Sequence, residues 1–218
     1  MSLYGVKIDG VDTLEAYGLC VLADVSIAAA APREMRVEIP GMDGTLDCSR
    51  ALTGAPTFGD REISFKLFKP TTDAQIAALR TALAAKCGYE VKVILPDDPD
   101  HYWRGVLAMG EHKGYNGGTI PLTLTAYPYK LKHAPTVVTA ALTAEETEIS
   151  LPNEMMRVVP VFEPTADMTL VWNGNAYALS AGQTYRNTAI ILDAGVNTVK
   201  AKAADGGTLT ITYQEGTL

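Results

Sequence analysis

Apolar and polar residues alternate along most of the chain, which is the pattern of β-strands that have one face on a core and the other in solvent. The alternation is clearest over Glu62–Phe68, Tyr89–Leu95 and Thr119–Thr125. Turns rich in proline, glycine and aspartate separate such segments, as at 40–44 and 96–100. The N-terminal part is therefore predicted to be an antiparallel β-sandwich.

One segment has helical spacing instead. Its apolar positions recur at i, i+3, i+7 and i+11, and they are Ile76, Leu79, Leu83 and Cys87. Thr72 and Gln75 have the spacing of a capping box, and Gly88 is typical of a helix end. The pattern predicts one helix over about 72–87, with its apolar stripe on a sheet.

The composition changes after His133. Residues 1–133 contain 14 basic and 16 acidic side chains, a net charge of −2, whereas 134–218 contain 4 and 9, a net charge of −5. The second part is rich in Val, Thr, Ala, Leu and Ile and contains an Asn173-Gly174 turn, a strong hairpin signal. These features predict two domains, 1–133 and 134–218.

Short strands without a helix are predicted throughout the C-terminal domain. They are Thr136–Leu142, Glu148–Leu151, Arg157–Pro164, Met168–Trp172, Asn175–Leu179, Thr188–Leu192, Asn197–Ala203 and Leu209–Tyr213. Strands at intervals of roughly 8–12 residues are typical of a β-sandwich. We therefore expect an all-β sandwich of galectin-like or immunoglobulin-like type.

Charge and composition exclude some classes of protein. The 218 residues carry a formal net charge of −7, so the clustered Lys and Arg that hold nucleic-acid phosphates are lacking, and no sequence-specific nucleic-acid binding is expected. No apolar run approaches the roughly 20 residues that a membrane helix needs. Three widely separated cysteines fit a reducing compartment.

A search for catalytic chemistry finds no nucleotide-binding, metalloprotease or nucleophile-elbow motif. The densest polar cluster contains Asp97, Asp98, Asp100 and His101, which could hold a metal or act as acid and base. The frame from Asp100 to Glu111 partly matches a calcium loop but puts Arg104 where an oxygen ligand belongs. A turn between two strands is the simpler interpretation, and neither a metal nor a cofactor is expected.

Several motifs, in order along the chain, resemble siphophage distal tail (Dit) proteins. They are Tyr17-Gly18-Leu19, Pro32-Arg33, the PG-x-DG-x-LD run at 40–47, Phe58-Gly59-Asp60-Arg61, Tyr102-Trp103-Arg104-Gly105 and Ala126-Tyr127-Pro128-Tyr129-Lys130. The segments Asp193–Val199 and Gly207–Tyr213 are similar to a phage tail-tip sandwich. Met42 departs from the family, which often has Arg there, and no long carbohydrate module is inserted in the second domain.

The resemblance implies a structural protein of a phage or prophage tail tip, not an enzyme. Such a protein forms a homo-hexameric ring from its N-terminal domains and joins the tail tube to the host-adhesion apparatus. The implied partners are the tail-tube protein and either the tail-associated lysin (Tal) or receptor-binding proteins. The implied location is the virion tail tip, after synthesis in the host bacterial cytoplasm.

Ring contacts commonly use sheet edges and extended hairpins, so we expect them from the region 40–65. Leu46–Phe65 is predicted to form a hairpin arm with the tip at 54–59 that reaches a neighbouring subunit. The residues expected at this contact are Pro40, Gly41, Asp43, Gly44, Leu46, Phe58, Arg61 and Phe65.

Other functions fit parts of the same sequence. A tail-tube subunit is the nearest alternative, since its rings stack many times. A carbohydrate-binding sandwich is the alternative from another class, with Trp172, Tyr177 and Tyr185 stacking on a sugar. An enzyme that uses the aspartates at 97–100 and His101 is a more distant possibility.

Overall fold

A computed structural model describes residues 3–70, 72–111 and 118–218. The fold is mainly β, as the alternation predicts, and its sheets are antiparallel. The chain divides into two compact units, unit 1 (Met1–Lys130) and unit 2 (Leu131–Leu218). No helix among the described residues is both long and apolar enough to cross a membrane.

Unit 1 is built on one large antiparallel sheet. Its elements are β1 (Lys7–Ile8), β2 (Val11–Asp12), α1 (Thr13–Tyr17), β3 (Cys20–Val21), β4 (Ser26–Ile27), β5 (Arg36–Glu38), β6 (Thr45–Asp47), β7 (Arg61–Phe68), α2 (Asp73–Ala84), β8 (Glu90–Ile94), β9 (His101–Met109) and β10 (Thr119–Ala126). The sheet has the order β2-β1-β8-β9-β10-β7-β3, and β4 also pairs with β7. Strands β5 and β6 form a separate two-stranded sheet and pair with no other strand of the described residues.

The core of unit 1 lies along the inward faces of its long strands. In β7 the buried side chains Ile63, Phe65 and Leu67 alternate with exposed or half-buried ones, as the period of a strand requires. The helix α2 adds Ile76 and Leu83 to the same cluster. The alternation in the sequence therefore marks the true core face of this strand.

The predicted helix is confirmed as α2, with Thr72 at its N-cap, but it ends at Ala84 because the chain turns over 85–88. A second helix, α1, was not predicted. The Asp12 carboxylate accepts hydrogen bonds from the Leu14 and Glu15 amides at 2.8 and 3.3 Å, and Gly18 ends the helix in the left-handed region with φ 68°. Five residues are too few for a helical period to be visible in the sequence.

Unit 2 is a sandwich of two four-stranded sheets. The elements that follow β10 along the chain are β11 (Lys130–Lys132), β12 (Thr136–Leu142), β13 (Thr147–Asn153), β14 (Val161–Pro164), β15 (Met168–Trp172), β16 (Asn175–Leu179), β17 (Tyr185–Arg186), β18 (Gly195–Lys202), β19 (Gly207–Tyr213) and β20 (Gly216–Thr217). The sheets have the orders β12-β19-β14-β17 and β13-β18-β15-β16. Between them lies an apolar core that includes Leu151, Phe162, Leu170 and Ile211.

Seven of the eight strands predicted in this region are observed, three with the predicted ends and four with shifted ends, and the turn at Asn173-Gly174 has the expected positive φ at both residues. The predicted strand Thr188–Leu192 is wrong. There the Ile190 amide bonds back to the Asn187 carbonyl, and only Leu192 forms a bridge, with Val158. Ile190 and Leu192 are both buried, so a turn that inserts two apolar side chains imitates a strand in the sequence.

Candidate assembly site

The most exposed part of unit 1 is the chain between β4 and β7. These two strands are antiparallel neighbours, and the residues between them continue the pairing as a long hairpin, here called the arm (residues 28–60). Three backbone hydrogen bonds close its stem. The Ala28 amide donates to the Glu62 carbonyl and the Gly59 amide to the Ala31 carbonyl, both at 2.9 Å, and the Arg33 amide donates to the Thr57 carbonyl at 2.7 Å. The arm is therefore an extension of the main sheet.

The tip of the arm lies at 39–44 and not at 54–59, so the predicted hairpin Leu46–Phe65 is wrong. Strands β5 and β6 pair on either side of this tip, and Gly41 and Gly44 adopt φ of 84° and 79°, which glycine allows at little cost. Gly54 instead belongs to a side turn at 48–55. The Gly54 amide donates a hydrogen bond to the Arg50 carbonyl and so closes this turn.

One face of the distal arm is apolar and uncovered. Val37 stands directly opposite Leu46, and the two-residue period puts Met35 and Ile39 on the same side. We call Met35, Val37, Ile39 and Leu46 the apolar face. Their exposed fractions are 60%, 39%, 41% and 47%. The opposite face is polar, with Arg36 opposite Asp47 and Glu38 opposite Thr45.

Such an arrangement is suited to binding another protein. No residue of the arm is buried, and a two-stranded hairpin is at best marginally stable in water unless something covers it. Together with Met42 at the tip, the apolar face exposes roughly 400 Å² of apolar surface, a size comparable to the largest patch of a typical monomer, which is often functional. The sequence contained this signal in the alternation at 35, 37 and 39, which our prediction missed.

The base of the arm is fixed by Arg61. Its guanidinium donates to the Ala28 carbonyl at 2.8 Å and to the Pro128 carbonyl at 3.3 Å, and it lies 5.0 Å from the centre of the Trp103 ring. Burial lowers the pKa of Arg61, yet the side chain stays charged because that pKa starts far above neutrality. Phe58 adds an edge-to-face contact with Tyr129, with ring centres 6.0 Å apart.

The eight residues predicted for a ring contact fall into two groups. Those on the exposed distal arm are Pro40, Gly41, Asp43, Gly44 and Leu46. Phe58 is half-buried at the base, and Arg61 and Phe65 are buried within unit 1. The first group is available to a partner, whereas Arg61 and Phe65 support the arm from inside.

The three aromatic residues of the carbohydrate hypothesis do not form an open platform. Trp172 lies in the core of unit 2 with 8% of its surface exposed. Tyr177 and Tyr185 are half-buried against the same core, and the Tyr185 hydroxyl accepts a hydrogen bond from the Ser180 amide at 2.7 Å. Because all three pack inward, core packing is their observed role.

The aspartate cluster forms a closed polar network instead of an open site. Asp98 accepts hydrogen bonds from His101 Nδ1 at 2.8 Å and from Lys130 Nζ at 2.5 Å. Burial raises the pKa of Asp98, but these two hydrogen bonds and the neighbouring charges outweigh it and hold the pKa below its usual value. Asp97 and Asp100 are exposed, and no group of residues suited to a metal occurs in the described part of the chain.

Comparisons with known proteins identify a fold and not a family. No family model and no curated protein matches the sequence. Among solved structures, the Dit protein (gp19.1) of phage SPP1 matches with a TM-score of 0.69 at 16% identity, covering 100% of both chains. That protein is described as a paradigm of the hub adsorption apparatus in phages that infect Gram-positive bacteria.

A second structure is a conserved protein of unknown function, PA5104 of Pseudomonas aeruginosa PAO1. It covers 89% of this chain and 100% of its own at 10% identity, but its TM-score of 0.29 is too low to indicate a shared fold. The match to SPP1 Dit covers both units, the one with the large sheet and the one with the two-sheet sandwich. The chain therefore has a Dit-like fold over its whole length.

Proposed function

We propose that this chain is a distal tail protein, which forms a ring at the tail tip of a phage or prophage and joins the tail tube to the adhesion apparatus. The observation that carries the proposal is the full-length match to the hub protein of SPP1. Assembly is then the proposed function.

The arm supplies a physical means of ring formation. Identical subunits close into a ring when one surface of each binds a different surface of the next. The arm is such a surface, because its apolar face is uncovered and because it extends the pairing of β4 with β7 beyond the main sheet. We place the ring contacts in unit 1 and propose six subunits.

Unit 2 is proposed to carry the adhesion components. The tail-tube protein on one side, and the tail-associated lysin or receptor-binding proteins on the other, are the proposed partners. The place of action is the virion tail tip, after synthesis in the bacterial cytoplasm. Stacking of a sugar by Trp172 has no support in the structure, since that ring is buried.

Solution mass tests the proposal. Sedimentation velocity and native mass spectrometry of the full chain are expected to show a closed species of six subunits. The fraction of chain in this species should increase with concentration as the fraction of monomer falls. Open polymers or long stacked tubes would instead favour a tail-tube subunit. Electron micrographs of the same sample distinguish a single ring from a tube.

A shortened arm provides the matched variant. Residues 34–56 are replaced by Asn-Gly, which joins Arg33 to Thr57 across their existing hydrogen bond of 2.7 Å with a two-residue hairpin turn. This variant, the armless chain, keeps the stem and every core residue of unit 1. It is expected to fold with an unchanged far-UV spectrum but to remain monomeric, and a six-subunit ring formed by the armless chain would contradict the role of the arm.

A further inference from the structure

A second uncovered apolar surface lies elsewhere in unit 1. We call it the groove; its volume is about 690 Å³, and Tyr4 and Leu3 stand at its rim with 58% and 61% of their surfaces exposed. The other apolar side chains that line it are Leu14, Cys20, Val21, Leu22, Ala23, Val25, Phe68, Pro70 and Pro96, and the charged Asp97 also lies in the lining. Unlike the arm, the groove draws on segments that are distant in sequence.

The arm and the groove lie at opposite ends of one strand. The arm leaves the sheet at Arg61, where β7 begins, whereas the groove includes Phe68, where β7 ends, and reaches as far as Val25, directly before β4. Eight residues of extended chain separate these ends by roughly 24 Å. Because the arm continues the pairing of β4 with β7 beyond Arg61, it projects away from the groove of its own chain.

We propose that the groove is the receptor for the arm of a second copy of this chain, which inserts Ile39, Pro40 and Met42 of its tip. The proposal rests on the ring of the proposed function and names both sides of its subunit contact. Each copy then donates one arm and offers one groove, which is the head-to-tail arrangement that a ring of identical subunits needs.

The length of the arm and the apolar character of both surfaces fit this occupant. Residues 34–56 comprise 23 residues, all exposed or half-buried, and a standard interface uses about 20–30 residues from each partner. Three exposed apolar residues stand at the tip, and the groove is lined mainly by apolar side chains. Contacts of this kind are screened little by salt, so the association should persist when ionic strength is raised to about 1 M.

The first test blocks the groove at exposed positions, where the fold tolerates change. Tyr4→Asp puts a charge at the rim, and Ala23→Arg puts bulk on an exposed lining residue. The matched control is Tyr89→Asp, which changes the same residue type at 70% exposure outside the groove. Both groove variants should raise the concentration for half-assembly at least about tenfold, and the control should leave it within about twofold.

The second test mixes two chains that are each unable to form a ring. The armless chain retains its groove, and the Tyr4→Asp chain retains its arm. Mixed in equal amounts, they should form a complex of one copy each that does not grow further, because one end of each chain is blocked. Native mass spectrometry identifies this complex by the different masses of the two chains.

The outcomes separate this inference from the proposed function. A six-subunit ring that survives Tyr4→Asp and Ala23→Arg refutes the groove as receptor and leaves the ring intact. If the unchanged chain forms open polymers and the Tyr4→Asp chain does not, the ring is refuted and the contact of arm with groove is supported. A full chain that stays monomeric at about 100 µM, or a mixture without a one-to-one complex, refutes the contact itself.

Discussion

Leu46 offers the sharpest measure of what the arm contributes to association. Its side chain is 47% exposed on the apolar face, opposite Val37. About 85 Å² of apolar surface is thus left for a partner to cover, which at about 25 cal/mol per Å² corresponds to about 2 kcal/mol. Alanine retains part of that surface, so Leu46→Ala should weaken each contact by about 1.5 kcal/mol.

This loss corresponds to roughly a tenfold increase in the dissociation constant of each contact. Sedimentation velocity over a series of concentrations measures it as an increase of about tenfold or more in the concentration at which half of the chain is assembled. Thermal unfolding of the monomer should change little, because substitutions of exposed residues usually alter stability by no more than about 0.5 kcal/mol.

Leu52→Ala is the matched control, since Leu52 lies on the same arm with 99% of its surface exposed but sits in the side turn at 48–55, outside the apolar face. The concentration at which half of this variant is assembled should remain within about twofold of that of the unchanged chain. The reasoning is refuted if Leu46→Ala assembles at the original concentration, or if Leu52→Ala weakens assembly equally.

Three further predictions concern stability. Arg61→Met removes the two hydrogen bonds to the Ala28 and Pro128 carbonyls and should lower the free energy of unfolding of unit 1 by about 2 kcal/mol in urea; an unchanged midpoint would contradict this. Because the pKa of Asp98 is lowered in the folded chain, its carboxylate contributes stability above about pH 4, and this stability is lost as pH falls through the pKa of the folded state. In Asp98→Asn the free energy of unfolding, measured in urea, should therefore depend less on pH below about pH 4. Burial, with Glu215 nearby, raises the pKa of Tyr213 to about 12, so stability is complete below about pH 10 and falls as pH rises through 12. Tyr213→Phe should remove that alkaline decrease, which urea unfolding at a series of pH values measures; equal slopes in both proteins would contradict the assignment.

Local patterns in the sequence were sufficient for most of the secondary structure. The alternation in β7 and the capping residues around α2 depend on neighbours within a few positions, so they can be recognised without the fold. The same holds for the turn at Asn173-Gly174, where two residues with positive φ suit the twist of a hairpin. These features also carried the prediction of a mainly β protein.

The candidate site was only partly predictable, because its shape depends on which strands pair. Glycine turns occur at both Gly44 and Gly54, and each is compatible with a hairpin tip. The pairing of β5 with β6 selects the first, and no local property of either turn determines that choice. The region of the arm was therefore identified from the sequence while its tip was misplaced.

The class of fold, the helix α2 and a hairpin within the region 40–65 could be predicted from the sequence, because propensity, periodicity and capping are local. Tertiary structure decided that Arg61 and Trp172 are buried, and that Tyr4, Val25 and Phe68 line one groove. Burial and shared surfaces arise from contacts between residues far apart in the chain. Such contacts exist only after the strands have paired, and for that reason no local pattern records them.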